Sequence, residues 1–183
     1  MRAEIQEKLN MFKVYNDITL KNEIVIFGST YTAGFPFYEL SQKYMFTNAI
    51  YNRSIKNLTL EEADQCLTDC VLAIKPSKLF LSLGENDIDN ADAMKIYKSI
   101  INKIKEKLPY STLYILPIHS DINGAKEFNI SLSKLCHEKG INYLNINYSP
   151  LGDDFSYNII FKQLSCFFRK TPIGFAEAFS ISN

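Results

Sequence analysis

At 183 residues, with 20 Lys plus Arg balancing 20 Asp plus Glu, the chain has the size of one domain and no net field to draw it to nucleic acid or an anionic membrane. Residues 1–12 are charged and amphipathic, Arg2, Glu4, Glu7 and Lys8 standing among Ile5, Leu9, Met11 and Phe12. They hold no apolar run of signal-peptide or membrane-span length, so a cytoplasmic chain outside the membrane is expected.

Short apolar runs alternate with longer amphipathic ones, the pattern of a parallel sheet wrapped by helices. Residues 23–27 read as a first strand ending at Gly28, and residues 46–50 as a second, interrupted by Thr47 and Asn48. The capping box Thr59-Leu60-Glu61-Glu62 opens a helix on which Leu60, Ala63, Leu67, Cys70, Val71 and Ile74 recur at helical spacing, closing before Pro76. Residues 78–83 supply a third strand ending at Gly84. Met94, Tyr97, Ile101, Ile104 and Leu108 form a second helical stripe ending at Pro109. A fourth strand over 112–118 leads to a third stripe, Phe128, Leu132, Leu135 and Cys136, ending at Gly140, and a fifth strand over 141–146 follows. Residues 153–168 show no clean period and are expected as an irregular loop before a last short helix opened by Thr171-Pro172. No repeat, linker or low-complexity stretch divides residues 1–183, so one domain is expected. Cys66 and Cys70 lie four apart on a predicted helix and Cys136 and Cys166 stand alone, which gives neither a disulfide framework nor a zinc pattern. Free thiols, no metal and no cofactor are expected.

In open α/β sheets the ligand site lies beyond the carboxyl ends of the strands, which directs attention to residues 28–34, 52–59, 84–88 and 119–123 and to the segment before the last helix. Four stretches resemble, in order and spacing, the sequence blocks of the SGNH hydrolases, also called GDSL-type esterases. Gly28-Ser29-Thr30-Tyr31-Thr32-Ala33-Gly34 resembles Gly-Asp-Ser-x-Thr-x-Gly, and Asn52-Arg53-Ser54-Ile55 resembles Asn-Arg-Gly-Ile. Gly84-Glu85-Asn86-Asp87 matches Gly-x-Asn-Asp, and residues 166–175 resemble the closing Asp-Gly-x-His followed by Pro-x-Gly-Tyr. The resemblance spans residues 23–179 and is greatest to bacterial platelet-activating-factor acetylhydrolase-like proteins. It implies a three-layer, flavodoxin-like α/β fold with a central parallel sheet of about five strands.

Carried over position by position, the resemblance places Thr30 at the nucleophile, Ser29 at the preceding aspartate and Ser54 at a glycine of the oxyanion hole. Cys166 takes the place of the triad aspartate and Arg169 that of the general base, while Asn86 keeps its identity as an oxyanion donor. A hydroxyl becomes nucleophilic near neutrality only when a base takes its proton, and a guanidinium cannot be that base. His119, after the fourth strand, is the one rescue candidate, with Asp121, Asp153 or Asp154 to orient it; His137 falls late on a polar helix face. The expectation is a protein with little or no catalysis whose cleft binds a small polar or anionic ligand through Ser54, Asn86 and Arg169, or a protein partner. The alternative is an esterase of small acyl esters using Thr30 or Ser29 with His119 as a displaced base. A third reading is a structural subunit that dimerises through the aromatic-rich C-terminal region, where Phe155, Tyr157, Phe161, Phe167, Phe168, Phe175 and Phe179 gather. Each stretch also has a plainer reading: Ser29-Thr30 as a helix N-cap, Asn86-Asp87 as a hydrogen-bonded turn, Arg169-Lys170 as a solvated pair and His119 as a loop residue.

Overall fold

Every residue of the first strand is apolar or glycine, and the computed structural model, which describes residues 1–148 and 156–169, buries all of it. This strand, β1 (Ile24–Gly28), is covered on both faces, as a central parallel strand must be. It pairs with β2 (Ile50–Asn52) on one side and β3 (Lys78–Ser82) on the other. Beyond β3 lie β4 (Thr112–Ile115) and β5 (Asn142–Tyr143), giving a wholly parallel five-stranded sheet of order β2-β1-β3-β4-β5, the flavodoxin-like order.

Alternation along the strands sorts their side chains between two helical layers. Val25, Phe27, Leu79, Leu81 and Ile115 pack with α1 (Ala3–Ile18), α4 (Leu60–Leu67), α5 (Ala93–Lys107) and α6 (Ala125–Lys139). Ile24, Ile26 and Phe80 pack with α3 (Phe37–Lys43) and α7 (Ser156–Phe168). The single turn α2 (Thr30–Ala33) leaves β1 directly. The expected capping box forms, with the Thr59 hydroxyl accepting from the Glu62 N–H and the Glu62 carboxylate accepting from the Thr59 N–H. Beyond α4 a π-helical turn, Thr68–Leu72, continues the chain with Cys70 and Val71 buried. Cys66, Cys70 and Cys136 are buried, Cys166 is half-buried, and all four are free thiols. Among the described residues no helix is long and apolar enough to cross a membrane.

The structure corrects several sequence expectations. The second strand lies at Ile50–Asn52 rather than 46–50, because Phe46 is claimed by the rings of Phe161 and Phe168 and the Asn48 amide donates to the Phe168 carbonyl. The fourth strand ends before Pro117, which has no N–H to offer a ladder, and the fifth is shortened with it. Residues 156–168 form a helix where an irregular loop was expected. Ile160, Phe161, Leu164 and Phe168 are buried at spacings of one, four and eight, a helical face whose period is blurred by Ile159 and Phe167 on the other faces. The helix expected from Thr171-Pro172 lies outside the described residues, as do Phe155, Phe175 and Phe179.

Candidate functional site at the carboxyl edge of the sheet

The loops after β1, β2 and β3 are drawn together by backbone bonds. The Ser29 N–H donates to the Ser82 carbonyl at 3.0 Å, and the Ile55 N–H donates to the Gly28 carbonyl at 3.0 Å. Only glycine fits position 28, since a Cβ there would lie 2.2 Å from Thr32 Oγ1 and 2.5 Å from the Ser82 carbonyl oxygen. Ser29, Thr30, Ser54 and Asn86 all follow strand ends at this edge, as the sequence blocks imply.

Their polar groups are committed to one another and to the backbone. Asn86 Nδ2 donates to Ser29 Oγ at 2.8 Å and to the Leu58 carbonyl at 3.0 Å. A carbonyl can only accept, so it is the Asn86 amide nitrogen that meets Leu58, and both of its N–H bonds are committed. Thr30 Oγ1 accepts from the Asn57 N–H at 3.0 Å and donates to Asn57 Oδ1 at 3.1 Å. The Ser54 N–H donates to Asn52 Oδ1 at 3.1 Å, so the amide assigned to an oxyanion hole serves its own turn. The Ser54 hydroxyl is buried and finds no partner among the described residues. Glu85 stands beside this group, its Oε1 accepting from the Tyr31 N–H at 3.3 Å.

His119 is buried, and its Nδ1 accepts from the Asp121 N–H at 3.2 Å. In the neutral tautomer this bond implies, the proton sits on Nε2. The ring packs against Tyr148 at 4.7 Å and Tyr31 at 5.3 Å between centroids. The Tyr148 hydroxyl donates to the Pro117 carbonyl at 2.7 Å, and burial pushes its phenol well above the ordinary tyrosine value. His119 is therefore part of an aromatic wall whose Nδ1 lone pair is already occupied by backbone. His137 is exposed on α6, as its helix position suggested.

Arg169 and Cys166 do not reach this edge. Lys78 Nζ donates to the Phe167 carbonyl at 2.7 Å and also to the carbonyl of Arg169, and Lys78 is the first residue of β3. At about 3.3 Å per residue the far end of that strand is some 13 Å away, and the site loops begin only there. Cys166, on the last turn of α7, donates its thiol to the Gln163 carbonyl, and burial pushes that thiol up. The backbone of Arg169 thus stands at the amino edge, because α7 runs back along the sheet. What topology delivers to the site is the first turn of α7. Tyr157, in its first turn, packs on Phe35 at 4.9 Å and Tyr31 at 6.0 Å. Residues 149–155, with Asp153 and Asp154, lie outside the described residues.

Sequence reasoning missed Asn57, Glu85 and Tyr148 as site residues, and named Tyr157 only among the C-terminal aromatics. Asn57 has φ of +57°, a conformation asparagine tolerates, but no pattern marks it as the partner of Thr30. Asp87 proves structural: 4% exposed, it accepts from the Leu60 N–H at 3.0 Å at the start of α4. Burial pushes its carboxyl up, against the pull of the Leu60 N–H and the Asn90 side chain.

No family model matches the chain, and no curated protein matches it in sequence. Its architecture is that of the GDSL-like lipases and acylhydrolases. It is similar to a Streptococcus pneumonia protein described as a candidate platelet activating factor, at 18% identity and a TM-score of 0.76, over 91% of this chain and 93% of that one. A GDSL-like lipase from Bacteroides thetaiotaomicron superposes with a TM-score of 0.64 at 14% identity, over 95% and 92% of the two chains. A lipase/acylhydrolase from Enterococcus faecalis does so with 0.57 at 16% identity, over 67% and 74%. At these identities the shared property is the fold.

Proposed function

We propose that this chain is a binding protein on an esterase fold, with little or no catalysis, whose carboxyl-edge cleft takes a small polar ligand. The observation that carries the reading is the Asn86 side chain, whose amide nitrogen is spent on Ser29 and Leu58. An oxyanion needs preorganised donors, and both N–H bonds of this amide are committed within the protein. The Thr30 hydroxyl is likewise held by an amide rather than by a base. Loss of the serine or histidine of a triad costs about 10⁴ to 10⁶ in turnover, which leaves binding as the activity the site can support. The anion expected from Arg169 loses its basis with that residue at the opposite edge.

Hydrolysis of short p-nitrophenyl esters by the purified protein tests the reading. The expected result is no turnover above background and no change in Thr30→Ala or Ser29→Ala. Robust turnover that either substitution abolishes would overturn it, and a parallel loss in His119→Ala would establish an esterase with a displaced base.

A further inference from the structure

We infer that the groove between α6 and the chain following β5 is a second binding site, for an amphipathic anion in which a carboxylate or sulfonate is carried on an apolar body. The groove encloses about 690 Å³, within the range of about 300–1,000 Å³ typical of small-molecule pockets. Pro117, Ile118, Tyr143 and Ile146 give it apolar walls. Lys126, Ile130 and Lys134 also line it; at i, i+4 and i+8 they form one stripe along α6, the lysines about 12 Å apart along the axis. Ile130 is 48% exposed, an aliphatic side chain standing in solvent between two cations.

The charges are the recognition groups left over. Among the described residues neither lysine makes an ion pair and no carboxylate lines the groove. Asn129, between them, is already spent: it accepts from the Ile118 N–H and donates to the Ile118 carbonyl, both at 2.9 Å. The Tyr148 hydroxyl on the Pro117 carbonyl ties the walls together. An apolar body would cover Ile130 and the walls, and its anionic head would meet one or both flexible ammonium groups. The groove shares Tyr148 with the aromatic wall but includes none of Ser29, Thr30, Asn57 or Asn86, so this site does not depend on the function proposed for the carboxyl-edge cleft.

The probe is 8-anilinonaphthalene-1-sulfonate fluorescence with the full chain, competed with decanoate or with decyltrimethylammonium below their micelle concentrations. The expected result is displacement by decanoate at roughly tenfold lower concentration than by the cation of equal tail length. Lys126→Ala and Lys134→Ala should each weaken decanoate about two- to fivefold, the worth of one exposed ion pair. Ile130→Glu, which sets a carboxylate between the lysines at an exposed position, should abolish displacement at an unchanged melting temperature; Lys126→Glu serves should that variant fold poorly. Equal displacement by the two amphiphiles, no binding of either, or decanoate affinity indifferent to both glutamate variants would overturn the inference.

Discussion

Asp87 offers a test in which two substitutions at one residue should differ in their effect on stability, one destabilising and the other not. It sits almost wholly inside the protein and accepts from the N–H of Leu60, which is fully buried at the start of α4. Two effects compete. The carboxylate gains a charge-assisted bond and the favourable end of a helix, worth about 0.3–1 kcal/mol at such positions, but burial penalises its charge and the net effect is a raised pKa. A raised carboxyl means that the folded state holds its proton more tightly than the unfolded one. Stability therefore falls as pH rises from the ordinary aspartate value through the raised folded value, and the loss is complete above it. Asp87→Asn keeps an acceptor for Leu60 and removes the charge, so at neutral pH it should be neutral or stabilising by up to about 1 kcal/mol. Asp87→Ala leaves the Leu60 N–H buried without that partner and should cost about 1–3 kcal/mol. At this chain length each kcal/mol is worth about 2–4 °C in melting temperature. Urea unfolding of the three proteins across the acid range is the assay. The asparagine variant should also flatten the fall in stability that wild type shows as pH rises through the window. If Asp87→Asn destabilises as much as Asp87→Ala, or leaves the pH slope untouched, burial is not the dominant effect at this carboxyl.

Two further predictions concern the ends of the chain. Lys78→Met removes the ammonium that donates to the Phe167 and Arg169 carbonyls and should lower stability by about 1–3 kcal/mol, with enhanced proteolysis after α7; an unchanged urea midpoint would mean that α7 is not anchored there. The Arg2 guanidinium beside Glu62 holds that carboxyl below its ordinary value, so its contribution is present above the ordinary glutamate value and lost as pH falls through the lowered folded value. Arg2→Ala should therefore lag wild type by more at neutral pH than below the lowered folded value, where only the loss of the Arg2 bond to the Asn57 carbonyl remains, and a gap that does not change with pH would refute the pairing.

The fold was legible because its signals are local. Apolar runs ending in Gly28 and Gly84 marked β1 and β3, and the Thr59–Glu62 capping box marked α4 within one residue. The losses came where tertiary partners decide. Residues 46–48 read as strand from apolarity alone, yet Phe46 and Asn48 are bound to α7, which no local window contains. α7 itself escaped because apolar residues on several faces conceal the period that burial of Ile160, Phe161, Leu164 and Phe168 reveals. At the site, Ser29, Thr30, Ser54 and Asn86 were legible as the residues that follow strand ends. The direction of each polar group was not, since whether the Asn86 amide donates outward or to Leu58 depends on a carbonyl 28 residues away.

The misplacement of Arg169 follows from one error upstream, and the fold supplies a rule that would have caught it. In a wholly parallel sheet every strand runs towards the site edge and every covering helix runs back from it. A segment entering a helix after a strand therefore lies at the site edge, and a segment leaving that helix lies at the opposite edge. With residues 153–168 read as loop, residues 166–175 seemed to enter the last helix and so to belong at the site. With Ser156–Phe168 helical, residues 166–169 leave one, and the Lys78 bonds to the Phe167 and Arg169 carbonyls mark the amino edge where they emerge. The chemistry changes with that assignment: the backbone of Arg169 emerges at the amino edge, which removes the basis for a fork of donors beside Thr30. A single missed helix thus removes the reason for which an anion was expected at this site.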